Sequence, residues 1–175
     1  MIHKRILLVG VILAVALSLP FYGRSWNLFM HQLGSILFVG NIMVSAVWMS
    51  LARRSGGAEA LRLGVRGVMV TDALFTTPGA LLLLLNGGIL GTEFFRAGAT
   101  WLFVSIALFL LSFILWVVVL LPAQRGLWRE VERVPADGSV PAGWEPLYKR
   151  WFRAGGITTL LILVTLVLMV FKPAL

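Results

Sequence analysis

The sequence predicts an all-α membrane protein with five transmembrane helices, in which helices two to five form an antiparallel four-helix bundle and the N-terminal helix is peripheral. The 175 residues are 59% hydrophobic and only 13% charged, and the mean hydropathy is +0.95. A soluble domain needs far more polar surface than this. A bilayer core about 30 Å thick requires roughly 20 apolar residues per helix. Suitable runs fall at about residues 5–22, 27–52, 67–90, 98–121 and 154–172, with a cytoplasmic loop at 122–153, so residues 1–175 form a single transmembrane domain.

The first apolar run resembles a signal peptide in layout, because Lys4 and Arg5 precede it. No small-x-small cleavage site follows, so we expect this segment to be retained as a helix. Its small residues Gly10, Ala14 and Ser18 recur every four residues and form one face. Such a face suits close helix packing. We therefore expect helix one to lean on the bundle from outside.

The other four helices each carry a stripe of polar or small residues at three- and four-residue steps. Because polar groups in lipid must face protein, water or a ligand, these stripes predict a partly polar bundle interior. The stripes are His31, Ser35, Phe38, Asn41, Ser45 and Trp48 in helix two; Met69, Asp72, Thr76, Gly79, Leu83 and Asn86 in helix three; Trp101, Ser105, Leu108, Ser112 and Trp116 in helix four; and Gly155, Thr158, Ile162, Thr165, Met169 and Lys172 in helix five.

Two irregular features interrupt these helices. The sequence at residues 76–79 (TTPG) predicts a local opening of helix three, because proline removes a donor and threonine hydroxyls can bond the freed carbonyls. In the loop, residues 135–141 form a break. Residues 124–134 and 144–153 on either side are expected to continue helices four and five. The loop aromatics Trp128, Trp144, Tyr148 and Trp151 are expected at headgroup depth.

The positive charges predict the orientation. With the N-terminus inside, twelve of the fifteen lysines and arginines lie on the inner side, as expected for cytoplasmic loops. The sequence thus predicts a bacterial inner-membrane protein with a cytoplasmic N-terminus and a periplasmic C-terminus. Basic loops beside membrane spans also account for the net charge of +8, so the lipid bilayer is the expected partner and nucleic acid is not.

Depth along the helices separates the polar residues into two groups, too far apart for a dyad between His31 and Asp72. Asp72 is the only acidic residue within a span, and two interpretations stand: an ion pair with a loop arginine that pins helix three, or a proton-accepting or cation-binding carboxylate in an inward-facing cavity. The inner group comprises Asp72, Asn41, Ser45, Thr158 and either Arg153 or Arg66; the outer group comprises His31, Asn86, Trp101, Met169 and Lys172.

The chemistry of His31 has two interpretations as well. It is either a hydrogen-bonded interior histidine or a metal ligand, for haem b or for copper together with Met30 or Met169. A bis-histidine haem is excluded, since the second histidine, His3, lies on another helix at the opposite side. The absence of cysteine excludes disulfides, thiolate nucleophiles, iron–sulfur clusters and thiolate zinc sites.

Four segments carry a resemblance to a family of uncharacterised bacterial integral membrane proteins, described as predicted membrane proteins with a domain of unknown function. They are residues 31–40 (HQLGSILFVG), 72–79 (DALFTTPG), 150–155 (RWFRAG) and 169–173 (MVFKP), and the likeness spans about residues 27–173. More distantly, the His-x-x-Gly opening of helix two resembles the copper-resistance D-type and HemJ-type membrane proteins. That kinship implies that His31 matches their functional first-helix histidine.

No catalytic signature is present in the sequence, so an enzymatic role is not favoured. The sequence favours an inner-membrane bundle that acts as an accessory subunit of a membrane complex or binds a small ligand in its polar interior. The alternative is a haem- or copper-binding redox or metal-handling protein that uses His31. The substrate, the protein partners and the oligomeric state are left open. The candidate binding residues are His31, Asn41, Asp72, Thr76 and Lys172, with His31 as the candidate metal ligand.

Overall fold

The computed structural model describes residues 2–18, 22–134 and 139–174, and all of the long regular elements in these ranges are helices. This confirms the all-α class. Four helices are long and apolar enough to cross a membrane, and a shorter apolar helix precedes them. The described short helix has 15 residues, fewer than the roughly 20 that cross a bilayer core, and a fifth crossing stays a prediction. The bounds are α1 Ile2–Ala16, α2 Arg24–Ser55, α3 Ala58–Arg96, α4 Thr100–Glu132 and α5 Trp144–Phe171.

Helices α3 and α4 each contain one π-helical segment, at Asp72–Thr76 and Trp116–Leu120. A proline follows two residues after each segment, Pro78 in α3 and Pro122 in α4. Because proline lacks the N–H that would bond the preceding turn, the helix widens there rather than breaking. The Thr77 hydroxyl donates to the Asp72 carbonyl at 3.1 Å. The predicted interruption of helix three is therefore a wide turn in a continuous helix.

The segment predicted as the loop 122–153 is largely helical. Helix α4 runs on to Glu132 and α5 already begins at Trp144, as expected for the two flanking segments. Residues 135–138 of the expected break lie outside the described residues. Trp144, Tyr148 and Trp151, expected at headgroup depth, are buried in a core cluster with Leu127 and Val131, and their depth in the bilayer stays a prediction. The aromatic rings fill the space between the extended helix ends instead of facing lipid.

The bundle consists of two hairpins, α2–α3 and α4–α5. We call the end where α2 and α4 begin the open end and the opposite end the closed end. At the closed end the hairpins pack tightly, with the first part of α3 against the last part of α4. At the open end α3 and α4 contact each other little, so the hairpins diverge there.

Helix α1 packs on α3 through its small-residue face, as the four-residue spacing predicted. A Cβ atom on Gly10 would lie 2.9 Å from Cγ of Pro78, and Ala14 is buried. The Ser18 hydroxyl accepts a hydrogen bond from the amide of Asn86 at 2.7 Å. Small side chains thus let α1 approach α3 closely.

Candidate functional site

A cavity of about 550 Å³ lies between the two hairpins at the open end. All four long helices contribute to it, and most of its surface is apolar, with rings such as Phe38 and Phe109 in the lining. The divergence of α3 and α4 creates this space. The polar residues that line it are Arg24, His31, Gln32, Ser35, Ser105, Thr165 and Lys172.

His31 lies on one wall of this cavity with a defined hydrogen bond. Its Nδ1 atom is 3.0 Å from the carbonyl oxygen of Leu83 on α3. A carbonyl oxygen only accepts, so Nδ1 carries the hydrogen. In the neutral ring Nε2 then keeps a lone pair that can accept a hydrogen bond or bind a metal ion. A Cβ atom on Gly87 would lie 2.9 Å from Cε1 of His31, so the imidazole packs directly on the backbone of α3.

The structure brings most of the predicted outer group together. Trp101, Met169 and Lys172 line the same cavity as His31. The expectation for Asn86 is wrong, because its amide points to Ser18 of α1 on the other side of α3. Met30, one of the two methionines considered for a copper site, packs against Ala14 and Leu82 beside α1 and so lies away from the cavity.

Lys172 ends α5 at the mouth of the cavity. Its Nζ atom lies 4.9 Å from the ring centre of Phe94 and 5.7 Å from that of Trp101. The residue has a left-handed backbone with φ of 45°, the one positive φ among the described non-glycine residues. Left-handed helix ends are usually glycine, because other side chains clash with the backbone there. The geometry holds the ammonium group above two aromatic faces, where cations are attracted.

Asp72 forms a second polar cluster that joins three helices. Its Oδ1 atom accepts hydrogen bonds from Nδ2 of Asn41 at 3.1 Å and from Oγ1 of Thr76 at 2.7 Å. Its Oδ2 atom accepts from Nε2 of Gln124 at 2.8 Å, and the Trp116 indole also bonds the carboxyl group. Asp72 and Thr76 bound the wide turn of α3, and Trp116 begins that of α4. Both π segments therefore present partners for this carboxyl group.

The expected ion pair of Asp72 with a loop arginine is wrong for the described residues: the two candidates, Arg66 and Arg153, are exposed, and the hydrogen-bond partners of Asp72 are uncharged. Amide, hydroxyl and indole donors satisfy the carboxyl oxygens without bringing a second charge into an apolar interior. Thr158, also expected in this group, bonds the Gly155 carbonyl of its own helix instead.

Gln124 is the site residue that the sequence reasoning missed, because it was placed in the loop. Its position could have been found by extending the stripe of α4 in steps of four residues from Trp116, which reaches residues 120 and 124. Ser45, expected near Asp72, is buried, and its hydroxyl has no partner among the described residues. As predicted, His31 and Asp72 bond different partners and do not form a dyad.

The five candidate binding residues therefore separate into two sites. His31 and Lys172 line the cavity, whereas Asn41, Asp72 and Thr76 belong to the buried polar cluster around Asp72. Within residues 2–18, 22–134 and 139–174, no three histidine, aspartate or glutamate side chains come together as they would around a metal ion. A metal or haem iron at this site would depend on His31.

Residues 26–173 match the model of a family described as "Predicted integral membrane protein (DUF2269)". The match covers α2 to α5 and leaves α1 outside. No curated protein and no solved structure matches the chain. The more distant resemblance to the copper-resistance D-type and HemJ-type proteins receives no support from these comparisons.

Proposed function

The chain belongs to this family of predicted integral membrane proteins, and we propose that it binds a small, mainly apolar ligand in the cavity between its two hairpins. The observation that carries the proposal is the cavity itself. Its volume of about 550 Å³ lies within the range of roughly 300–1,000 Å³ that is usual for small-molecule sites. An apolar lining with a few polar side chains, among them His31, Gln32 and Ser35, is also typical of such sites.

The rim of the cavity supports entry from the bilayer. Leu28, Leu166 and Val170 line it and are also exposed on the outer surface of the bundle. In a membrane, exposed apolar side chains at this level contact lipid tails. A ligand that partitions into the bilayer could therefore reach the cavity without crossing a polar surface.

Filling the cavity tests this proposal. We expect Ser35→Trp to weaken binding of a fluorescent long-chain alcohol at least tenfold, because the indole would occupy the space between the hairpins. The matched control is Ile36→Trp, one position along α2 at a residue that is 69% exposed, where affinity should stay within twofold. Titrations in nanodiscs measure both. Equal affinities of the two variants would refute the cavity as the binding site.

The distribution of lysine and arginine supports an orientation in which the open end lies at the periplasmic face. In this orientation the N-terminus is cytoplasmic and the C-terminus is periplasmic. Because the chain has no native cysteine, single cysteines report sidedness directly. In intact bacterial cells we expect a membrane-impermeant maleimide to label Ala97→Cys, between α3 and α4, and to spare Ala142→Cys, between α4 and α5. The reverse pattern would overturn the orientation.

A second candidate function is metal or haem handling at His31, and the hydrogen bond of Nδ1 favours it. Metal-binding histidines usually donate their other ring hydrogen to a carbonyl or carboxylate, as Nδ1 does to Leu83. Met169, a further soft ligand, lines the same cavity. We expect this function to give a Soret band or stoichiometric copper in the purified protein, lost on His31→Ala. A colourless, copper-free protein from supplemented cells would rule it out.

The role of an accessory subunit is distinguished by co-purification. A subunit of a larger complex should retain stoichiometric partners in mild detergent, and Ser35→Trp should leave their amount unchanged. A ligand-binding protein instead should lose ligand on that substitution. The cavity favours ligand binding over the role of an accessory subunit, because packing against a partner does not require an internal space.

A further inference from the structure

We propose that the ligand of the cavity is an amphipathic anion whose charged end is bound by Lys172 at the open end. The inference rests on the proposed function and names the class of ligand. Lys172 lines the cavity, and so do Phe94 and Trp101, the two rings beneath its ammonium group. No aspartate or glutamate is found among the described residues that line the cavity. The polar end of a ligand would therefore meet a cation with no competing carboxylate on the wall.

The other cation at the mouth differs from Lys172 in this respect. Arg24 also lines the cavity, but its guanidinium lies 3.8 Å from the carboxylate of Glu93. Among the described residues, no acidic side chain lies within ion-pair distance of Lys172. Aromatic faces attract an ammonium group but do not neutralise it. Of the two cations that line the cavity, Lys172 is thus the one whose positive charge is available for an anion.

The backbone conformation of Lys172 also supports a ligand site at this end. A left-handed residue at a helix end is usually glycine, yet a lysine stands here with φ of 45°. Strained residues of this kind persist where surrounding contacts hold them, often at ligand sites. Its N–H donates to the carbonyl of Leu168 at 2.9 Å, and its ammonium group lies against the rings of Phe94 and Trp101, which belong to the cavity wall.

The cavity has the length that such a ligand needs. Along α5 and its C-cap the lining runs from Ile162 to Lys172, ten steps of 1.5 Å or about 15 Å. The far end is apolar and includes Phe38 and Phe109, which contact each other with ring centres 5.6 Å apart. An apolar chain lying toward these rings would place its head group near Lys172. Long-chain carboxylates and alkyl phosphates share this chemistry.

The test compares three fluorescent probes with the same chain, a fatty acid, an alkyl phosphate and the uncharged alcohol, in nanodiscs of uncharged lipid. We expect Lys172→Gln to weaken binding of the two anions about tenfold or more and to leave the affinity for the alcohol within twofold. Lys172→Arg should keep anion binding within threefold. Arg96→Gln is the matched control, because it removes an exposed cation at the same end that does not line the cavity, and its effect on the anions should be twofold or less.

The outcomes separate the inference from the proposal beneath it. If no probe binds the wild-type protein, or if Ser35→Trp does not weaken the binding of any probe, the proposed function fails. If all three bind and Lys172→Gln weakens none or weakens all equally, the charge recognition fails, and Lys172 serves only as an anchor at the membrane surface. A loss confined to one anion identifies whether carboxylate or phosphate is preferred and supports the inference.

Discussion

Replacing Asp72 with alanine is expected to lower the free energy of unfolding by about 2–4 kcal/mol. The substitution leaves donors on Thr76, Gln124 and the Trp116 indole without their acceptor in the interior of the bundle, whereas Nδ2 of Asn41 keeps Oγ1 of Thr76 as an acceptor. An orphaned buried donor costs about 1–3 kcal/mol in water-soluble proteins, whereas hydrogen bonds in a membrane average about 0.6 kcal/mol each. Three or more donors lost together place the total in the stated range.

Unfolding in mixed micelles of increasing SDS content measures this effect. Asp72→Asn should lose less than half as much, because its carbonyl oxygen still accepts from Asn41 and Thr76 while Gln124 can turn its amide oxygen toward the new NH₂ group. The control is Glu59→Ala, an acid of the same helix whose side chain is 87% exposed, with an expected change below about 0.5 kcal/mol. An Asp72→Ala variant as stable as the wild type would contradict the role of the cluster.

Adding side chains at the crossing of α2 and α3 is the second large effect. A Cβ atom on Gly34 would lie 2.8 Å from the carbonyl oxygen of Gly79, and one on Gly79 would lie 2.9 Å from that of Gly34. The two backbones therefore touch, and no flexible side chain can move aside. We expect Gly34→Val and Gly79→Val to lower the free energy of unfolding by about 3 kcal/mol, the upper part of the range for overpacking.

The chain provides matched controls for both positions. Gly40 in α2 and Gly88 in α3 have open space where a Cβ atom would lie. Valine at either position should change stability by less than about 1 kcal/mol, since only backbone propensity is altered. The same SDS titration compares all four variants. If Gly34→Val and Gly40→Val were equally stable, close backbone contact would not hold the hairpin together.

The features that the sequence predicted well are those set by local periodicity and by the bilayer. Apolar length defines spans, so the four long helices follow from hydropathy alone. The face of Gly10, Ala14 and Ser18 followed from spacing, because a four-residue step stays on one side of a helix whatever the helix packs against. The wide turn of α3 followed in the same way from the missing N–H of Pro78.

The features that required the tertiary structure depend on which helix faces which. The sequence placed Asn86 beside His31, but α1 covers that side of α3 and takes its amide. It suggested an arginine as the partner of Asp72, but the cytoplasmic extension predicted for helix four is part of α4 and places Gln124 within hydrogen-bond distance of the carboxyl group. It also gave no sign that Trp144, expected at headgroup depth, would be only 2% exposed and packed among core residues of other helices.

The sequence by itself determined that this protein is a helical membrane bundle with a polar interior, because a bilayer penalises every unsatisfied backbone group and every exposed charge. Only the tertiary structure decided that the interior divides into a closed cluster around Asp72 and an open cavity beside His31 and Lys172. The physical reason is that helix rotation and the angle between the hairpins arise from contacts between residues far apart in the chain, such as Gly34 with Gly79. A stripe on one helix does not specify which neighbour it will meet.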